Sequence, residues 1–308
     1  MPAHLARLIA TLRNAPPQAT LARAWRAARR DEIASSTALA GARLERPAIN
    51  ALIDRGIASG DFPLSDYLLV RDYASAADYA ASRLPFATGD PRPLLALADI
   101  RQLHALAAAS EVSGKPGAWR IATVALADGM VAPPPWLVPR EVDAFLERFA
   151  HAPPDAEIER WIAQALARFT RLLPFASANG RVARLIADAL LARRGLPPLI
   201  VPPRAAAAYR AALARAHAGV NEPLVRIVER ALTHTLEGML ASRASEDPAD
   251  HLVPLATLVP RALVARYYKA AQRGRLRHTL RDGRIYVTRA WLADYALPIA
   301  KRIRKESV

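Results

Sequence analysis

The stretch RFTRLLPFASANGRVARLIADALL (168–191), together with the periodic segment before it, constrains the fold most. Upstream, Ile158, Trp161, Ile162, Ala165, Leu166 and Phe169 recur at three- and four-residue spacing, the pattern of a helix buried along one face. Downstream of Gly180, the residues Val182, Leu185, Ile186, Ala189 and Leu190 repeat the same pattern. Two apolar helices joined by a short Pro- and Asn-Gly-containing loop must therefore share one core. Arg181 and Arg184 fall on the first turn of the second helix, whose partial positive charge disfavours each by about 0.3–1 kcal/mol. Two readings follow. Either an anion binds at the Asn179-Gly180 turn, where free backbone N–H groups converge, or both arginines point outward and pair with nearby carboxylates.

Most of residues 1–240 reads as helix, so the fold class is mainly α. Breaks are expected at Pro16-Pro17, around Gly60-Asp61, at Gly89-Asp90-Pro91 and at Pro133-Pro134-Pro135. A small β-hairpin is expected over 121–132, about a two-residue Asp128-Gly129 turn. The polar stretch ASRASEDPAD (241–250) reads as a linker. With 308 residues and 52% hydrophobic composition, the chain can bury a sizeable core in about two domains. It has no cysteine, which excludes disulfides, thiolate metal sites and a catalytic thiol. No apolar run reaches about 18 residues, and MPAHLARLIATLR lacks the apolar segment of a signal peptide, so no membrane association and a cytoplasmic location are expected.

Charge is divided unevenly. The net is +15 overall, but residues 251–308 hold 13 Lys+Arg against 3 Asp+Glu, and the first 250 hold 30 against 25. A basic block of this kind attracts polyanions, nucleic acid first among them. Of the 43 cations 39 are Arg, which suits planar phosphate and base contacts; an Ala- and Arg-heavy composition also arises from a GC-rich bacterial genome. Within the block, an apolar helix is expected at 252–258. A second starts at Pro260 and stops at Gly274, with Leu263, Tyr267 and Ala270 as its apolar stripe. A hairpin over 275–287 follows, turning at Asp282-Gly283. It places Leu276, His278, Leu280, Ile285 and Val287 on one face and Arg277, Thr279, Arg281, Arg284 and Tyr286 on the other. A last helix at 289–303 offers Trp291, Leu292, Tyr295 and Ile299. This order resembles excisionase- and MerR-like winged helix-turn-helix modules. By that resemblance Arg261, Arg266, Lys269, Arg273, Arg275, Arg277, Arg281 and Arg284 face double-stranded DNA. The alternatives are a surface that binds nucleic acid without sequence preference and a basic appendage that binds nothing in particular.

Leu173-Pro174-Phe175-Ala176-Ser177-Ala178-Asn179-Gly180-Arg181-Val182-Ala183-Arg184 resembles the signature of the Fic (Fido) family, H-P-F-x-[DE]-G-N-G-R-x-x-R. Lys115-Pro116-Gly117-Ala118-Trp119-Arg120 is similar to the family's P-G-x-[YW]-R segment. GLPPLIVPP (195–203) and the Tyr209 helix are similar to what usually follows. The resemblance implies a helical core over 95–240 behind an N-terminal helical region (1–94), a linker (241–250) and the basic module (251–308). It makes the 121–132 hairpin a flap that takes a target protein as an added strand. Members typically transfer AMP from Mg·ATP to a target hydroxyl.

The departures from that signature are chemical. Leu173 stands where the family's general-base His would be, and an aliphatic chain accepts no proton. Ser177 replaces the acidic Mg²⁺ ligand, and a neutral hydroxyl is a poor ligand for a hard cation. Ala178 replaces the first motif glycine. His151 lies well upstream, and His104, on an apolar helix, reads as a packed core histidine. Asn179, Gly180, Arg181 and Arg184 match, and by resemblance they would hold the phosphates of ATP or another nucleotide, with Mg²⁺ in doubt. The family's inhibitory [ST]-x-x-x-E-[GN] aligns with Ser36-Thr37-Ala38-Leu39-Ala40-Gly41. Ala40 takes the Glu position, which leaves Arg184 uncompensated. No catalytic residue and no metal site is then intact. The expectation is a Fic-type pseudoenzyme acting as a DNA-binding regulator, with nucleotide binding and a homodimer both open. The alternatives are an atypical Fic adenylyltransferase that uses ATP, and an inactive partner of an active Fic protein.

Overall fold

A computed structural model describes residues 2–14, 19–83, 95–111, 115–126, 129–151, 153–245, 252–281, 283–289, 291–292 and 295. The expected breaks at Pro16-Pro17 and Gly89-Asp90-Pro91 lie outside these residues, as does Ile299. By contacts the chain divides into two units, Met1–Met239 and Leu240–Val308. No helix among the described residues is long and apolar enough to cross a membrane.

The first unit is helical: α1 (Ala3–Arg13), α2 (Ala19–Leu39), α3 (Arg46–Arg55), α4 (Leu64–Arg83), α5 (Leu97–Ala107), α6 (Val138–Phe149), α7 (Ile158–Leu172), α8 (Asn179–Arg193), α9 (Ala206–His217) and α10 (Glu222–Ser245). The two periodic segments become α7 and α8, packed on each other. Ile158, Ile162, Leu166 and Phe169 of α7 are fully buried, and α7 also meets α6 and α9. α8 is buried on nearly every side, from Asn179 through Leu191, and touches α2, α4, α5 and α7. It is the central helix of the unit. Around it Phe145, Phe149, Trp161 and Phe169 form edge-to-face and tilted ring pairs at 4.9–6.0 Å, the offset geometries that aromatic quadrupoles favour.

The expected hairpin at 121–132 reduces to one bridge, Ala125 to Val131. Its closing bonds, Gly129 N–H to the Leu126 carbonyl (2.9 Å) and Leu126 N–H to the Met130 carbonyl (2.7 Å), leave three residues in the loop rather than two. An extra residue of this kind twists the strands apart and ends the ladder. The expected linker is also shortened, because α10 runs on to Ser245. Ala241 to Ser245 contain neither Gly nor Pro, so nothing in that stretch breaks the helix.

The second unit begins with β1 (Val253–Pro254), α11 (Leu255–Leu258) and α12 (Val264–Gln272). These are followed by β2 (Thr279–Arg281) and β3 (Arg284–Val287). The sheet order is β1-β3-β2, antiparallel throughout, with Val253 opposite Val287 and Thr279 opposite Tyr286. The helix expected from 252 starts three residues later, because Val253 and Pro254 join the sheet edge, where Pro is tolerated for want of an N–H. Leu255, Val259, Ala270, Ala271, Leu276, Ile285 and Val287 form a small separate core. Two residues assigned to that core sit outside it. Leu263 lies in a 3₁₀ turn (Arg261–Leu263) ahead of α12 and is exposed. Leu280 is 64% exposed although it is in register with buried Ile285, because edge strand β2 overhangs a core too small to reach the hairpin tip.

Candidate functional site

The loop between α7 and α8 is built from main-chain conformations that its residues do not favour. Leu173 (φ 42°) and Ala178 (φ 57°) are the only non-glycine residues with positive φ among those described. Each costs on the order of 1 kcal/mol, so the surroundings must hold them. Three contacts do so. The Asn179 amide accepts from the Phe175 N–H (3.0 Å) and donates to the Phe175 carbonyl (2.9 Å), closing the loop on itself. The Phe175 ring stacks on His104 at 3.8 Å and on Trp119 at 5.0 Å. Arg120, buried, donates to the carbonyls of Leu173 (2.6 Å), Leu172 (3.4 Å), Ala122 (2.9 Å) and Pro133 (2.5 Å). Its own N–H donates to the Pro174 carbonyl at 3.0 Å. One guanidinium thus ties the C-terminus of α7 to both ends of the 121–132 segment, and burial lowers its pKa.

The Lys115–Arg120 segment is held against α5. Gly117 has φ 77°, and a Cβ there would lie 3.0 Å from the Arg101 carbonyl and 3.3 Å from Ala105 Cβ, so only glycine fits. Its N–H donates to His104 Nδ1 (2.9 Å) and its carbonyl accepts from Arg101 Nε (2.8 Å). His104 therefore carries its proton on Nε2, which meets the Ser177 main chain without a well-formed hydrogen bond. Burial, then the charge of Arg181, hold the imidazole down to about pKa 4. His104 is a packed core residue, as its apolar helix implied.

Both motif arginines are buried and turned inward, which corrects the picture of outward-facing side chains. Arg181 bonds the Ala107 carbonyl at the end of α5 and pairs with Glu111. Burial, then the charge of Arg184, lower it to about 10. Arg184 is not uncompensated as the loss of Glu at Ala40 suggested. Its Nε donates to Ser36 Oγ (2.6 Å) and its Nη2 to the Ser36 carbonyl (2.9 Å), and Tyr209 adds a side-chain bond. The Ser36 hydroxyl in turn donates a hydrogen bond to Glu32 Oε1 (2.6 Å), which also accepts from Tyr73 (2.6 Å). Burial pushes the Glu32 carboxyl up. Burial and the Glu32 charge push Asp188, one turn beyond Arg184, well above the carboxylate range. Ala40 itself is exposed beyond the end of α2. Sequence reading missed Glu32; the signal available was an acid placed two helical turns before Ala40 on one helix.

α8 has no side-chain cap and no acid in its first turn, so the main-chain N–H groups of Asn179, Gly180 and Arg181 face the loop without a capping acceptor. Gly180 is exposed there. The Ser177 hydroxyl is buried without a partner. A divalent metal does not fit this loop: it offers a neutral hydroxyl and no carboxylate, and no group of three metal-ligating side chains occurs among the described residues.

The model of the Fic/DOC family matches residues 94–191, the span from the start of α5 through this loop and most of α8. Over these residues the chain is similar to the Fic/DOC family. It is 39% identical over 69 residues to protein adenylyltransferase Fic of Nematostella vectensis, a match covering 22% of this chain and 16% of that protein. It is 40% identical over 68 residues to protein adenylyltransferase fic-1 of Caenorhabditis elegans, covering 21% and 13%. The similarity therefore spans less than a fifth of either relative's length. Among solved structures, a Fic-domain-containing signaling protein from Bacteroides thetaiotaomicron superposes with TM-score 0.66 at 20% identity, over 79% of this chain and 97% of that one. Fic-1 from C. elegans gives TM-score 0.69 at 18% identity, over 79% and 72%. These establish a shared helical fold. The C-terminal sheet and helices fall outside the matched family region.

Of the residues expected at DNA, Arg261, Arg266, Lys269, Arg273, Arg275, Arg277 and Arg284 are exposed; the Arg281 side chain lies outside what is described. Arg289, also exposed, extends the set. None forms an ion pair among the described residues.

Two outcomes test the loop. Ala178→Gly relieves a positive φ and is expected to raise unfolding free energy by about 0.5–1 kcal/mol in urea titration. The His104 shift has a definite sign. The unfolded imidazole takes up a proton near 6.5, whereas the folded one does so only near 4, so stability falls as pH drops from 6.5 towards 4 and is unaffected by this group above 6.5. Up to about 3 kcal/mol is at stake. The wild-type minus His104→Gln stability difference should decline across that window.

Proposed function

We propose that this chain is a Fic-fold protein without transfer chemistry whose basic C-terminal unit binds double-stranded DNA, so that it acts as a regulator. One observation carries the reading. Residues 252–281 hold seven cations and no carboxylate, and those whose side chains are described are exposed and form no ion pair among the described residues. A folded surface that leaves so many like charges uncompensated is stabilised by a polyanion. The sheet order β1-β3-β2 and the placing of α12 after a tight turn support a winged-helix reading, with α12 in the major groove and the β2–β3 hairpin on the backbone.

The core supports a non-catalytic role. Leu173 cannot take a proton, and its position is the one from which a base would act. Losing a general base costs about 10²–10⁴ in rate, and loss of the metal ligand at Ser177 compounds it. A second reading, anion or nucleotide binding without transfer, is favoured by the uncapped N-terminus of α8 beside the unpartnered Ser177 hydroxyl. Arg184, engaged by Ser36, would have to be drawn from α2 to join it.

The purified chain is expected to bind duplex DNA with log K falling steeply against log salt, about 10³-fold or more between 50 and 200 mM. Removal of residues 246–308 should abolish that affinity. AMP transfer from ATP to protein should be absent in the wild type. Robust transfer by the wild type, lost in Arg184→Ala, would instead establish an atypical adenylyltransferase. Transfer gained only in Leu173→His with Ser177→Asp would mark decay from an enzyme.

A further inference from the structure

Among the exposed cations of the second unit's described residues, one is unlike the rest. The Arg277 guanidinium carbon lies 4.5 Å above the centre of the Trp291 ring, and that ring packs against the small core of the unit. No hydrogen bond or ion pair engages the donors of Arg277 among the described residues. Stacking on an indole holds a guanidinium by its face and leaves its in-plane N–H fork free. A free arginine loses rotamer entropy when it binds, by up to about 2 kcal/mol; a stacked one has already lost much of it. It is also aimed by a core residue, whereas Arg266 and Lys269 on α12 and Arg273 just beyond it are exposed and have no such ring contact among the described residues.

We propose that Arg277, which lies on the connection between α12 and β2 and not in the β2–β3 hairpin, reaches into the groove beside α12 as the specificity-determining residue of this surface, its fork donating to the paired O6 and N7 acceptors of one guanine, while the unstacked cations contact phosphates. Trp291 is its positioning residue. The inference rests on the DNA-binding reading above. Guanine presents two acceptors side by side in the major groove, the spacing that a bidentate guanidinium matches. A phosphate would accept the same fork but recurs at every step, so a fixed direction would add nothing there. An ammonium keeps the charge and loses the fork, which makes lysine the discriminating substitution.

The test is selection of preferred duplexes from a randomised library by the full chain, followed by affinity measurements on single-base variants of the selected site. Arg277→Lys should lose about tenfold or more of the discrimination at one G·C position, with the salt dependence unchanged. Trp291→Leu should lose discrimination at the same position, whereas Arg266→Lys should leave it intact. Because Arg277 is exposed, its lysine variant decides the matter even if Trp291→Leu perturbs folding. Uniform weakening across all sequences in Arg277→Lys, or no preferred site at all, would place Arg277 on phosphate and overturn the proposal. Failure of the wild type to bind any duplex would overturn the DNA reading and this inference with it.

Discussion

Two guanidinium groups on a helix buried from all sides set the terms for the rest of the core. An unpaired charge inside a protein costs several kcal/mol, so Arg181 and Arg184 must be met from neighbouring elements, and they are. α5 supplies the Ala107 carbonyl and the segment after it supplies Glu111, and α2 supplies Ser36 backed by Glu32. These contacts fix where α2 and α5 lie against α8. Tyr73 of α4 and Tyr209 of α9 complete the shell around the same group. Five helices are positioned by the need to satisfy two side chains.

The same logic explains how the loop keeps its shape with Leu at 173 and Ser at 177. Its conformation is held by Asn179 bonding Phe175, by the rings stacked on Phe175, and by Arg120 gathering carbonyls from three segments. None of these depends on the side chain at 173 or 177. The side chains at 173 and 177 can therefore vary while the backbone stays in a strained left-handed conformation at Leu173 and Ala178. The scaffold and the chemistry are separable because different atoms carry them.

The second unit is organised differently. Its core is a handful of aliphatic and aromatic groups, too small to cover the tip of its hairpin, and its charge is predominantly positive. The apolar contacts that fold it and the cations that face outward divide cleanly between the two faces of α12 and the sheet, except at Leu280 and Leu263.

Periodicity in the sequence determined α7, α8 and their mutual burial, because a 3.6-residue apolar repeat admits few other structures. Motif spacing likewise determined the loop between them and the family of the core. Composition located the basic unit, since charge is counted without coordinates. The partners of the buried arginines were not legible: Ser36 and Glu32 lie about 150 residues from Arg184, and nothing local marks them. The missing Glu at Ala40 suggested a free arginine, yet three-dimensional packing brought a different pair from the same helix. Only the tertiary structure decided that, because a buried charge is satisfied by whatever group the fold brings within about 3 Å, and sequence distance does not enter.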